Sequence, residues 1–204
     1  MGRSQTTGIR RRVNQWPPVS GLRLPTTSCQ QAAGNFLLMR RLILFRHGKS
    51  DWDASYANDR QRPLNKRGER AAGTMGIVLR QMGEAPDRIV SSTAVRAEST
   101  AEIARLAGGW SAPLELSDDL YGASPDEVLA VTAIHGGSAE RLMLIGHEPT
   151  WSIVTTQLTG GRVAVRTGAV VGIDLDIDDW SQIATASGTV AYALHPRMFK
   201  GWDL

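Results

Sequence analysis

The chain has 204 residues, 42% of them apolar, which is enough for one domain with a real core and a tail. Of its 23 basic residues, five arginines (Arg3, Arg10, Arg11, Arg12 and Arg23) lie in residues 1–38, which hold no acid; subtracting them leaves 18 basic against 20 acidic residues, so the net charge of +3 belongs to the tail. The one cysteine, Cys29, excludes an internal disulfide framework and a cysteine-based zinc site, and no apolar run reaches the roughly 20 residues of a membrane-spanning helix.

Residues 1–38 show neither helical nor strand periodicity, and Pro17-Pro18 and Pro25 interrupt them. They read as a disordered basic tail, too polar to bury itself, preceding a domain over 39–204. The run GNFLLM is too short and too late for a secretory signal. The Arg-rich, acid-free composition fits an organellar transit peptide better, and Arg10-Arg11-Arg12 with Trp16 is a weak nucleic-acid signal. The folded pattern begins at Arg40, which makes Met39 a candidate natural start.

From there strand and helix signals alternate. RLILF (41–45) is a short apolar run of buried-strand type. Residues 64–83 place Ala72, Met75, Leu79 and Met82 on one helical face behind an Asn65 N-cap. DRIVSS (87–92) predicts a second strand, and 94–109 a helix ended by glycine. Residues 113–121 predict a short strand or extended connection. In 124–137, Ser124 caps a helix that has proline at its first position and acids in its first turn. RLMLIGHEP (141–149) repeats the opening design: an apolar run, then glycine, histidine and a helix-opening proline. Residues 169–177 and 188–196 alternate as strands with one solvated face.

Strands separated by helices predict an α/β domain of three layers, a mostly parallel sheet with helices on both faces. Ligands of such sheets sit beyond the carboxyl ends of the strands. Arg46 and His47 follow the first strand, Arg96 lies just beyond the second, and His147 follows the strand at 142–145. The topology therefore predicts that these four groups converge on one crevice. Arginine presents forked donors that match phosphate oxygens and stays charged. A neutral histidine can attack phosphorus while arginines stabilise the charge on the transferred oxygens. With no cluster of acids or cysteines nearby, neither a metal nor another cofactor is expected.

The segments RHGKSDW, RPLNKRG, SSTAVRAEST and IGHEP resemble the signature segments of the histidine phosphatase superfamily, in the branch that opens with Arg-His-Gly. Compact size and the KSDW…RPLNKRG flank resemble the short SixA-type phosphohistidine phosphatases, and the likeness spans residues 40–196. The resemblance implies that His47 is the nucleophile, that Arg46 and Arg96 clamp the phosphate, that His147 is the second histidine, and that Arg62 adds a phosphate contact. Gly48 is expected to permit a tight turn and to offer a carbonyl that holds the His47 tautomer. Larger relatives carry a lid with a glutamate donor; this chain has no room for one, which implies an open, shallow site.

The expected proton donor is Asp59, three residues before Arg62; Glu148, beside a helix start, is expected to stay anionic. Lys49, Lys66 and Arg67 read as surface charges or an attractive rim, His135 as a helix-end group and His195 as a strand-end group. The tryptophans read as packing residues, with Trp52 the one closest to the pocket. The expected protein is a cytoplasmic, monomeric, metal-independent phosphatase acting through phosphohistidine on phosphorylated proteins. The alternatives are a phosphatase of a small phosphate ester and a non-catalytic phosphoprotein-binding module. No nucleic-acid or membrane partner is expected.

Overall fold

The computed structural model describes residues 39–202; the basic tail set apart above lies outside the described residues. Strand β1 (Arg40–Arg46) leads to α1 (Lys66–Gln81), β2 (Arg88–Ser92), α2 (Val95–Gly108) and β3 (Leu114–Ser117). Then come α3 (Pro125–Gly136), β4 (Arg141–Gly146), α4 (Thr150–Thr159), β5 (Val170–Leu175) and β6 (Gly188–Leu194). Among the described residues no helix is long and apolar enough to cross a membrane.

The local signals act as their chemistry predicts. The Asn65 side chain accepts from the backbone N–H groups of Arg67 and Gly68 at the start of α1. Ser124 and Glu127 form a reciprocal capping box on α3, ahead of Pro125. Helix α2 closes on Gly109 in the left-handed conformation.

The sheet order is β3-β2-β4-β1-β5-β6. The pairs among β3, β2, β4 and β1 are parallel, whereas β5 pairs antiparallel with both β1 and β6. Helices cover both faces. Leu42 and Leu44 of β1, with Leu142 and Leu144 of β4, pack towards α3 and α4 in one core. The alternate residues Ile43, Phe45, Met143 and Ile145 pack towards α1 and α2 in the other. Two-sided burial is why these strands read as continuous apolar runs.

Two expectations need correction. β5 has no solvated face, because Val171, Ile173 and Leu175 enter one core and Val170 the other; the exposed alternation belongs to the edge strand β6. Met82 follows the end of α1 and is 45% exposed, so it lies outside the core face that Ala72, Met75 and Leu79 build.

The register positions the site. Arg46 pairs with Gly146 and Ser91 with Ile145, so β1, β2 and β4 end side by side. The His47 N–H donates to the Gly146 carbonyl at 3.0 Å, carrying that alignment one residue beyond the strands.

Candidate active site

His47 and His147 stand at the ends of β1 and β4 with ring centres 5.1 Å apart. The His47 Nδ1 lies 2.7 Å from the Gly48 carbonyl oxygen. A carbonyl only accepts, so Nδ1 carries the proton and Nε2 holds a free lone pair. Burial pushes the His47 pKa down to about 3, with His147, Arg96 and Arg46 adding to the shift and the Gly48 carbonyl opposing it. His147 is pushed down to about 4, by burial first and Arg96 next, against the opposing charge of Asp59. Both rings are neutral near pH 7.

Gly48 is required for space rather than for a turn, which corrects the expectation. It does not adopt a positive φ. A Cβ there would lie 2.7 Å from the carbonyl oxygen of Gly68, and a Cβ on Gly68 would lie 2.2 Å from the carbonyl oxygen of Lys49. The first turn of α1 thus rests backbone to backbone on the loop after His47, and the pair of glycines lets it.

The three arginines approach from separate elements. One guanidinium nitrogen of Arg46 donates to the Val165 carbonyl at 3.0 Å, and burial lowers the Arg46 pKa. Arg96, in the first turn of α2, donates to the Asp59 carbonyl at 2.7 Å and to the Asp59 carboxylate at 2.9 Å. Arg62 grips the same carboxylate at 2.7 Å, bonds Ser50 Oγ, and lies 3.7 Å from the centre of the Trp52 ring. The side chains of Arg62 and Arg96 are 7% and 6% exposed. The Nε atoms of Arg46 and Arg96 are buried donors with no partner among the described residues. Such donors suit an incoming anion.

Asp59 reaches the site but not in the state a general acid needs. Its hydrogen bond from Arg62 and the charges of Arg96 and Arg62 hold its carboxyl below the usual range. In the unliganded site it is a carboxylate lying across the arginine clamp, so the proton-donor expectation for Asp59 does not fit this geometry. Glu148 is shifted the other way. Burial raises its pKa, against a hydrogen bond from Ser152 at 2.9 Å and the charge of Arg46.

Sequence reasoning missed four supporting groups. Ser92 Oγ lies 3.0 Å from the His147 Nε2. Tyr121 meets the His147 ring edge-on at 5.8 Å and donates its hydroxyl to Asp59 at 3.2 Å. Thr100 Oγ1 accepts from the Gly48 N–H at 3.0 Å and donates to the Arg96 carbonyl at 2.6 Å, tying the loop after His47 to the first turn of α2. Ser50 supports Arg62. His135 and His195 lie elsewhere: His135 pairs with Glu115 at 3.0 Å, and His195 caps the short 3-10 turn at 196–199. No group of three or more His, Cys, Asp or Glu side chains gathers as metal ligands would among the described residues.

The family model of the histidine phosphatase superfamily, branch 1, matches residues 42–124, the stretch that holds His47, Arg62 and Arg96. An uncharacterised Mycobacterium tuberculosis protein is 39% identical over 123 residues, covering 59% of this chain and 75% of that one. The chain belongs to the histidine phosphatase superfamily. Its fold likeness within that superfamily is to the short SixA type. The candidate phosphohistidine phosphatase SixA from Nakamurella multipartitia superposes with a TM-score of 0.66 at 29% identity, over 78% of this chain and 96% of that one. A protein histidine phosphatase SixA complexed with tungstate shares the fold with a TM-score of 0.67 at 23% identity, over 78% and 99%. An uncharacterised chloroplastic protein of Arabidopsis thaliana is 27% identical over 77% of this chain and 76% of its own length.

Proposed function

We propose that this histidine phosphatase hydrolyses phosphohistidine on proteins through a covalent phosphohistidine at His47, without a metal ion. The observation that carries the reading is the state of His47: its Nδ1–H is held by the Gly48 carbonyl and the ring is neutral, so Nε2 is a nucleophile ready at neutral pH. Arg46, Arg62, Arg96 and His147 surround the position a phosphoryl group would take. The substrate displaces the Asp59 carboxylate from Arg62 and Arg96, exchanging one anion for another of higher charge.

Nε2 of His47 attacks phosphorus, and the bond from phosphorus to the leaving nitrogen or oxygen breaks. The arginines hold the three transferred oxygens as charge shifts across them. A histidine leaving group departs with its other ring nitrogen already protonated and needs little acid. An alkoxide needs a proton, and Glu148, whose burial favours the protonated form, is the better donor of the two nearby carboxylates. Water then attacks phosphorus as the P–Nε2 bond breaks, its proton passing to the Glu148 carboxylate after an alkoxide has left or to solvent after a histidine has, and phosphate leaves with His47 back in its neutral form.

The short connection over residues 118–124, between β3 and α3, supports an unlidded site that admits a side chain carried by another protein. The SixA-type neighbours support the same substrate class. The test is phosphate release from a phosphohistidine peptide by chelator-treated protein. Release that survives the chelator is expected. Failure on the peptide together with hydrolysis of sugar phosphates would contradict the substrate class.

A further inference from the structure

We infer that a cationic groove beside the phosphate site docks an acidic stretch of the phosphorylated partner protein; this rests on the reading of a protein substrate given above. The groove begins at the site itself. Arg46 and Arg166 line a cavity of about 240 Å³ that shares Arg67 and Arg197 with a second, larger one of about 580 Å³. Lys49, Arg70 and Lys200 also line the larger cavity. The turn carrying Arg166 is fixed to the nucleophile, because the Gly168 N–H donates to the His47 carbonyl at 3.0 Å.

The charge is one-sided. Arg67, Arg70, Ala71 and Thr74 occupy i, i+3, i+4 and i+7 of α1 and so form one wall. Glu69 lies on the same helix but does not line either cavity. Arg67, Arg70, Arg166, Arg197, Lys49 and Lys200 are exposed, and none makes an ion pair among the described residues. The His195 ring between the walls registers the field: burial lowers its pKa, and Arg197, Arg166 and Arg67 push it the same way.

Six unpaired cations over two joined cavities exceed what one phosphate needs. Their side chains are long and exposed, unlike the buried forked donors of the phosphate clamp. They match carboxylates spaced along a chain, and they gain through attraction and orientation rather than through a fixed cradle. A phosphoryl group in the clamp and acidic residues a few positions away can therefore be held at once.

The test uses two synthetic phosphohistidine peptides, one flanked by three Asp or Glu residues and one by Asn or Gln in their place. An aryl phosphate serves as a third substrate, and the protein is compared with its Arg67→Glu/Arg197→Glu variant. The wild type is expected to prefer the acidic peptide by about tenfold in kcat/KM, with the preference fading in high salt. The variant is expected to lose that preference while keeping aryl phosphate turnover, which shows that fold and catalysis survive. Equal turnover of the two peptides by the wild type would overturn the groove and leave the substrate class standing. The unphosphorylated acidic peptide, labelled for anisotropy, gives a readout independent of turnover. Binding lost on charge reversal, with neither phosphopeptide hydrolysed, would keep the groove and refute the substrate class. Absence of binding together with absence of preference would end the proposal.

Discussion

The imidazoles of His47 and His147 stand 5.1 Å apart and tilted by 56°, both half-buried at the ends of neighbouring parallel strands. Two adjacent histidines that remain neutral have a consequence for pH. Their folded pKa values, about 3 and about 4, lie below the usual 6.5. The free enzyme should therefore keep its kcat/KM as pH falls through 6.5, losing activity only towards pH 4. Stability should respond in the same window. The unfolded chain binds protons that the folded one refuses, so unfolding free energy falls as pH drops from above 6.5 towards 3, by about 1.4 kcal/mol per unit of pKa difference. His147→Gln should flatten that slope in denaturant titrations. An activity profile with an acid limb at 6.5 would contradict the neutral pair.

Arg96 is nearly buried and directs its donors at the position of Asp59. Arg96→Ala should reduce kcat by on the order of 10² to 10³, the range for loss of one preorganised donor. Trp52→Ala should act differently. It removes the ring beneath Arg62 but no donor, so KM should rise by about threefold to tenfold with kcat little changed. Steady-state kinetics on an aryl phosphate separates the two effects.

The two carboxylates make a paired prediction. Glu148→Gln should slow alkyl phosphate hydrolysis by about 10², the scale of general acid catalysis, and affect phosphohistidine much less. Asp59→Asn should strengthen inhibition by inorganic phosphate, since the resident anion is gone from the clamp. If Asp59→Asn alone slows the alkyl ester, Asp59 is the donor after all.

Most of the frame could be read from the sequence because its signals are local. β1 and β4 announce themselves as apolar runs buried on both faces, and Asn65, Ser124 and Gly109 mark helix ends by their own side-chain or backbone chemistry. The crevice followed from topology, since parallel strands that end in register bring Arg46, His47 and His147 together, with Arg96 close enough to bear on both rings. Ser92, Thr100 and Tyr121 stayed hidden because their roles rest on contacts between distant segments: Thr100 meets Gly48 across 52 positions, and Tyr121 meets Asp59 across 62. The state of Asp59 was equally invisible. A carboxylate three residues from one arginine looks like a loop acid until α2 brings a second arginine to it. The two-sided burial of β5 depended on a core packing against each of its faces, which no local pattern announces.

The boundary at residue 39 is open to a direct trial. β1 begins at Arg40, so a chain starting at Met39 should fold and keep full phosphatase activity. Unfolding or inactivity of that chain, by circular dichroism and aryl phosphate assay, would place residues 1–38 within the working protein.

In the proposed reaction His47 carries the phosphoryl group. Rapid acid-free quenching after mixing with labelled phosphohistidine peptide should trap a phosphoenzyme that is stable in base and labile in acid, with the label on the peptide that contains His47. His47→Asn should carry no label. Label retained by that variant, or turnover by the wild type with no label at any quench time, would contradict the account.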